Sequence, residues 1–411
     1  MNRTTTLCLG ITITCATLSS ARADWPNFLG PGGNPVVSTS VPTEFSVADA
    51  ENDKATKNVA WKVELPGRSV SGPIVVGGKV ITTSSGSLEE RWMHVAAVDE
   101  DTGKLLWRRS TKATGRPFCH PTSANAAPTP CSDGEQIYAF FSSNDIVCYD
   151  LDGNLKWFKS LTADHPLAGN DVGMGSSPAV VDGIVVCSVE CQADSFLAGL
   201  DTSTGATVWE VPRPQKANWA TPKVATDGSG KSVIVMHGGD NLIGIEPRSG
   251  KVMWEIKERF SPVASAAVVE NKIYVPTASG IKVFEVVTAE DKPNVVSESS
   301  RLRTGYTSLV STKHGLLGIN RSILICLDEE GDIRWKTRLE DAGQIWASPV
   351  VAGDKLYSFA MNGKCFTVGL GGDEAQVLAE SELGSEVLGT PAISDGAMFV
   401  RSVDALWKIG G

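Results

Sequence analysis

The chain has 411 residues, 42% hydrophobic and 20% charged, with a formal net charge of −10. That apolar content excludes an intrinsically disordered chain, and the length suffices for one large core or two smaller ones. The acidic balance, without a basic stripe, excludes nucleic acid and anionic membrane as the main partner.

In chain order, the first element is a secretory signal over residues 1–23. Arg3 is the only charge of a short leading region, Leu7 to Leu18 is apolar, and Ala21-Arg22-Ala23 matches a small-x-small cleavage pattern that would leave Asp24 first. The stretch is short and threonine-rich for a membrane span, although an uncleaved anchor is the alternative. Cys15 follows Thr12-Ile13-Thr14, which lacks the run that precedes a lipidated cysteine. The expectation is a periplasmic or secreted, non-lipidated protein. Residues 24–57 read as a Gly/Pro-rich leader. Loss of Cys8 and Cys15 with the signal leaves Cys119, Cys131, Cys148, Cys187, Cys191, Cys326 and Cys365. An odd count leaves one free or paired between chains. Their apolar surroundings suit small buried hydrophobes better than a metal site.

From residue 58 onward two phrases alternate. The first is Asp, a few residues, Gly, three residues, Trp: Asp99…Gly103…Trp107, Asp150…Gly153…Trp157, Asp201…Gly205…Trp209, Glu246…Gly250…Trp254 and Asp328…Gly331…Trp335. Gly permits a positive φ and Asp bonds the backbone two residues on, so this is a strand end, a tight turn and a new strand carrying Trp. The second phrase is Ser/Thr-x-Pro or an equivalent, followed by apolar residues, a turn and a β-branched run. Its copies begin at Gly72, Ala127, Ser177, Thr221, Ser265, Ser308, Ser348 and Thr390. The spacing of about 40 to 55 residues is that of propeller blades.

Four strands per repeat and eight repeats predict an all-β, eight-bladed β-propeller of four-stranded antiparallel blades over residues 58–411. The last repeat, from Thr390, has room for three strands. The fourth is expected from Asn58–Leu65, whose Trp61 takes the Trp position, so that chain start and chain end share a blade and no edge is left open. The repeats at Ser265 and Ser348 have lost the Asp-Gly-Trp phrase, and nothing else marks their outer strands.

The Ala/Leu-x-Asp-x-x-Thr-Gly-x-x-x-Trp pattern resembles the tryptophan-docking motif of the eight-bladed quinoprotein propellers, over essentially all of residues 59–411. The opening "DWPNFLGPGG" and phrases such as "YDLDGNLKWF" and "GSSPAVVDG" resemble exported PQQ-like repeat proteins of planctomycete-type bacteria. The resemblance implies that Trp61, Trp107, Trp157, Trp209, Trp254 and Trp335 pack between adjacent blades. It spans quinoprotein dehydrogenases, BamB-type assembly factors and uncharacterised relatives, so it says more about fold than function. The dehydrogenases carry two adjacent cysteines over the cofactor and a Glu/Asn/Asp calcium set. Here no Cys-Cys occurs, three residues separate Cys187 from Cys191, and the long insertions are missing. The expectation is a non-enzymatic monomer with a binding or scaffold role, meeting a protein or glycan of the cell envelope. The alternative is an oxidoreductase using pyrroloquinoline quinone (PQQ) and calcium.

Antiparallel strands place the loops between blades on one face and the Asp-Gly-Trp turns on the other. Long loops on a rigid scaffold are the usual place for function. The candidate binding face is therefore the inter-blade one, with His120 and Asn125 in the longest loop, joined by His165, Arg213, Trp219 and Trp346. Each histidine also has an ordinary role as a hydrogen-bonded loop residue, and the two tryptophans a role as channel plugs.

Overall fold

A computed structural model describes residues 23–48, 55–169 and 172–411; the signal expected over 1–23 lies outside these residues except for its last. Among the described residues the strands form eight sheets, seven four-stranded and one five-stranded, each antiparallel from its innermost strand outward. They are the blades of the propeller. Blade one runs Ile74–Val76, Lys79–Gly86, Trp92–Asp99, Leu105–Lys112. Blade eight runs Ala392–Ser394, Ala397–Arg401, Ala405–Gly410 and then Val59–Glu64, which pairs antiparallel with Ala405–Gly410. The ring thus closes through the predicted strand.

The sequence pattern follows from where each strand sits. Second strands are covered on both faces by neighbouring blades, so Ile184–Val189 is buried throughout and reads as one apolar run. Outer strands have a wet face, and Val59–Glu64 alternates half-buried with exposed residues. Blades five and seven keep their outer strands, Asn294–Ser299 and Gln376–Glu382, without the Asp-Gly-Trp phrase. Both also keep the one-residue bulge found just before Trp elsewhere, with Ser297 and Ala379 in the Trp position.

Between blades, five of the six tryptophans of the repeat meet the turn of the next blade. A Cβ on Gly250, at φ +71°, would lie 2.5 Å from the Trp209 ring, while the Trp209 Nε1–H donates to Pro247 O at 2.8 Å. The same pairing joins Trp61 to Gly103, Trp107 to Gly153 and Trp157 to Gly205. Trp254 donates to Ala289 O of blade five at 3.1 Å. Trp335 is different: blade seven has lost the matching turn, and the Trp335 Nε1 is buried without a partner.

The leader is built into the ring. Trp25 is buried and exchanges backbone hydrogen bonds with Val75 of blade one at 2.8 and 3.0 Å. Pro26 O accepts from Ser132 N of blade two at 2.8 Å, and Phe28 O accepts from Lys223 Nζ of blade four at 2.9 Å. Asn34 brackets Ser311 of blade six, donating to its O at 2.8 Å and accepting from its N–H at 3.0 Å. Val36–Val37 then pair parallel with Val351 and Ala352, which makes blade seven five-stranded instead of four-stranded. Gly77 N–H donates to Asp24 Oδ1 at 3.1 Å and Gly353 N–H to Val37 O at 2.9 Å; both glycines lie in the turn that follows an innermost strand, so these parts of the leader run along the Asp-Gly turn face.

Candidate functional site

A cavity of about 620 Å³ opens on the inter-blade-loop face at the centre of the ring, with Phe28 of the leader in its lining. Its volume suits a small-molecule site, for which about 300–1,000 Å³ is usual. The innermost strands position its wall. Each is preceded by the second repeated phrase, and seven of the eight phrases place a Ser or Thr there: Thr129, Ser177, Thr221, Ser265, Ser308, Ser348 and Thr390 line the cavity, with Gly72 at the eighth place.

These residues stitch the blades together. Gly72 N–H donates to Thr129 Oγ1 at 3.0 Å and Thr129 N–H to Ser177 Oγ at 3.0 Å. Ser177 N–H reaches Thr221 Oγ1 at 3.1 Å and Thr221 N–H reaches Ser265 Oγ at 2.9 Å. Ser308 N–H donates to Ser348 Oγ at 2.9 Å and Ser348 N–H to Thr390 Oγ1 at 3.1 Å. Each hydroxyl that accepts in this way keeps its own proton to donate. In blade two the hydroxyl is Thr129, so the phrase there begins two residues later than Ala127. At the seam between blades eight and one the backbones themselves touch. A Cβ on Gly72 would overlap Thr390 O, and one on Gly389 would overlap Ser71 O.

Above this girdle stand aromatic side chains. Trp219 is held by its Nε1–H on Gly173 O at 2.8 Å and its backbone N–H on Pro262 O at 2.7 Å. Trp346 packs on Tyr306, ring centroids 5.2 Å apart, and its buried Nε1 has no partner. Tyr306 is 53% exposed. His120 is at the rim, with Nδ1 2.8 Å from Thr122 Oγ1 and its backbone N–H on Val172 O at 3.2 Å. None of the described lining residues is Asp, Glu, Lys or Arg.

The cavity therefore gathers His120, Trp219 and Trp346 and leaves out the other three candidates. Asn125 is buried: its Nδ2 donates to Glu90 O at 3.2 Å and its Oδ1 accepts from Ser143 N–H at 2.8 Å, tying blade one to blade two. Arg213 is buried against Glu190 at 2.9 Å and Asn241 at 2.8 Å. Burial pushes the Glu190 carboxyl up and the Arg213 charge pulls it back down. His165 sits between Glu210, at 3.1 Å, and the Phe196 ring, with centroids 4.0 Å apart. His237 is buried beneath the loops, its Nε2 accepting from Ala266 N–H at 3.1 Å; burial, helped by the Arg213 charge, lowers its pKa to about 3. The seven described cysteines are free thiols and all but Cys119 are buried. Sequence reasoning missed the girdle, Tyr306 and Phe28. The recurring Ser/Thr was visible, but only as a strand-start marker.

A family profile described as outer membrane protein assembly factor BamB matches residues 32–188 and 167–337. The chain belongs to this PQQ-like propeller family. A BamB from Yersinia pestis is 25% identical over 186 residues, covering 43% of this chain and 42% of that protein. A polyvinylalcohol dehydrogenase from a Sphingopyxis strain is 22% identical over 241 residues, covering 48% of this chain and 35% of the enzyme. The chain thus spans less than half the length of these relatives. The crystal structure of a quinohemoprotein alcohol dehydrogenase from Comamonas testosteroni superposes with a TM-score of 0.69 at 12% identity, covering 95% of this chain and 81% of that one, which bears on the fold alone. Family members thus include both assembly factors and enzymes, and no helix among the described residues is long and apolar enough to cross a membrane.

Proposed function

We propose that this propeller is a non-catalytic binding protein of the cell envelope, exported by its N-terminal signal, whose ligand enters the central cavity from the inter-blade-loop face. The observation that carries this reading is the lining: aromatic rings over a girdle of hydroxyls, with no charged side chain among the described residues. Such a surface binds and orients: its one imidazole, His120, is engaged at the rim by Thr122, and no carboxylate stands in the described lining to pair with it or with a hydroxyl. The assembly-factor name of the family profile is consistent with a binding role.

The relatives named as dehydrogenases raise PQQ and calcium as the second reading. PQQ carries three carboxylates, and the lining supplies no Lys or Arg to meet them. Among the described residues no cluster of three His, Cys, Asp or Glu side chains stands ready for a metal ion. The donor set does not fit that cofactor, because a buried charge without a partner is strongly disfavoured. Incubating the purified protein with PQQ and calcium is the test. No quinone absorbance after desalting and no dye-linked alcohol oxidation is the expected result; saturable turnover would overturn the proposal.

A further inference from the structure

We infer that the central cavity takes a neutral saccharide, its ring face laid on the Tyr306–Trp346 pair and its hydroxyls met by the Ser/Thr girdle. This deepens the reading of the cavity as the ligand site and rests on it.

Three features of the wall select that chemistry. The first is neutrality. Moving a charged ligand out of water into a lining without counter-charge is costly, so an uncharged ligand is favoured. The chain's net charge of −10 works further against anions. The second is the ratio of polar to aromatic groups. A ligand that was only apolar would strip water from the girdle and leave its donor protons unpaired, at about 1–3 kcal/mol for each buried group. A saccharide has an oxygen on nearly every carbon and can answer several hydroxyls at once, whereas a planar heterocycle has acceptors only along its edge.

The third feature is the placement of the rings. Trp219 precedes the innermost strand of blade four, Lys223–Thr226, and Trp346 that of blade seven, Val350–Ala352. The two stations are therefore three blades apart around the mouth. A pyranose presents a face of C–H groups to such rings while its hydroxyls point outward from the ring edge. Trp219 is fixed by its bond to Gly173 O, so little order is lost when a ligand meets it. The Trp346 Nε1 makes no such bond, and its ring packs on the exposed Tyr306, which widens the aromatic face at that station. The volume of about 620 Å³ admits more than a single sugar ring.

The experiment uses the full chain as purified and two kinds of probe. Cellobiose, maltose, diacetylchitobiose and their tetramers are the neutral saccharides, with tetragalacturonate as the charged counterpart. N-phenyl-1-naphthylamine, neutral and fluorescent, reports entry into the cavity whatever the natural ligand. Titration calorimetry and displacement of the fluorophore should show saturable binding of at least one neutral saccharide and none of tetragalacturonate. Trp346→Ala should weaken that affinity by about tenfold or more, as loss of an aromatic anchor does. Lys251→Ala, on the opposite face, should leave it unchanged. Tyr306→Ala, at an exposed position, serves as the second variant should Trp346→Ala fail to fold. If the fluorophore enters and Trp346→Ala blocks it, but no neutral saccharide displaces it, the saccharide inference is overturned and the cavity reading stands. Tetragalacturonate binding as tightly as the neutral sugars would overturn the inference equally. If nothing enters the cavity, both readings fall.

Discussion

Replacing Trp209 by Ala should cost far more stability than replacing Trp335, although both occupy the same position in the repeat. The Trp209 indole lies between two backbones: a Cβ on Gly199 of its own blade would overlap the ring, and one on Gly250 of the next blade would sit 2.5 Å from it. Backbone on both sides cannot collapse into the space left, so the cost should fall in the range of about 3–5 kcal/mol for deleting a buried aromatic. Losing the bond to Pro247 O adds about 1 kcal/mol. Trp335 is also buried, but its Nε1 bonds to nothing and the turn it would meet in blade seven is gone. It contacts Cys326 across its own sheet where the other strand has Gly199. Its removal should cost about 1–2 kcal/mol less, since no hydrogen bond is lost and neighbouring side chains can relax. Scanning calorimetry and near-ultraviolet circular dichroism melts, run side by side under reversible conditions, measure the difference. Equal losses for the two variants, or a Trp209→Ala loss below about 1 kcal/mol, would refute the idea that the turn of the next blade is what makes each Trp count.

Two further perturbations probe the seam and the buried bases. Gly72→Ala should destabilise by about 1–3 kcal/mol, because the added methyl meets the Thr390 carbonyl and forces the first and last blades apart; Gly305→Ala, with open space around it, should be neutral in the same melt, and matching melting temperatures for the two would contradict the seam. Stability should also rise with pH in two windows. His237 is held neutral down to about pH 3 by burial while its unfolded form protonates near 6.5, so the unfolded state binds more protons between those values and stability falls as pH drops through them. For Lys223 burial brings the amine down to about 7 from 10.5, despite the Phe28 carbonyl and ring beside it, so a second rise is expected between about pH 7 and 10.5. Lys223→Met should flatten the upper window alone, and a pH profile that keeps the upper slope in that variant would show that Lys223 is not its source.

What was legible in the sequence was whatever repeats locally. Burial on both faces writes "IVVCSV" as an unbroken apolar run, and a tight turn writes Asp and Gly at fixed spacing, so blade number and closure are legible in the sequence. What was illegible depends on a partner far along the chain. Val36–Val37 pair with residues more than three hundred positions away through two residues and no periodicity, so the leader's place in blade seven had no local signature. The Trp335 phrase is intact, yet a docking phrase is only half of a contact, and its other half was lost from "TVGLGGDEAQV". Polar residues on loops posed the same difficulty. Asn125 and Arg213 looked like surface groups because their chemistry suits a surface; Glu90, Ser143, Glu190 and Asn241, which bury them, come from other strands and turns. The cavity wall is the extreme case. Each of seven repeats contributes one Ser or Thr to it, and six of these hydroxyls accept a backbone N–H from the preceding blade, 40 to 57 residues earlier in the chain. A site assembled one residue per repeat reads in sequence as part of the repeat itself, and only the closed ring sets those residues side by side.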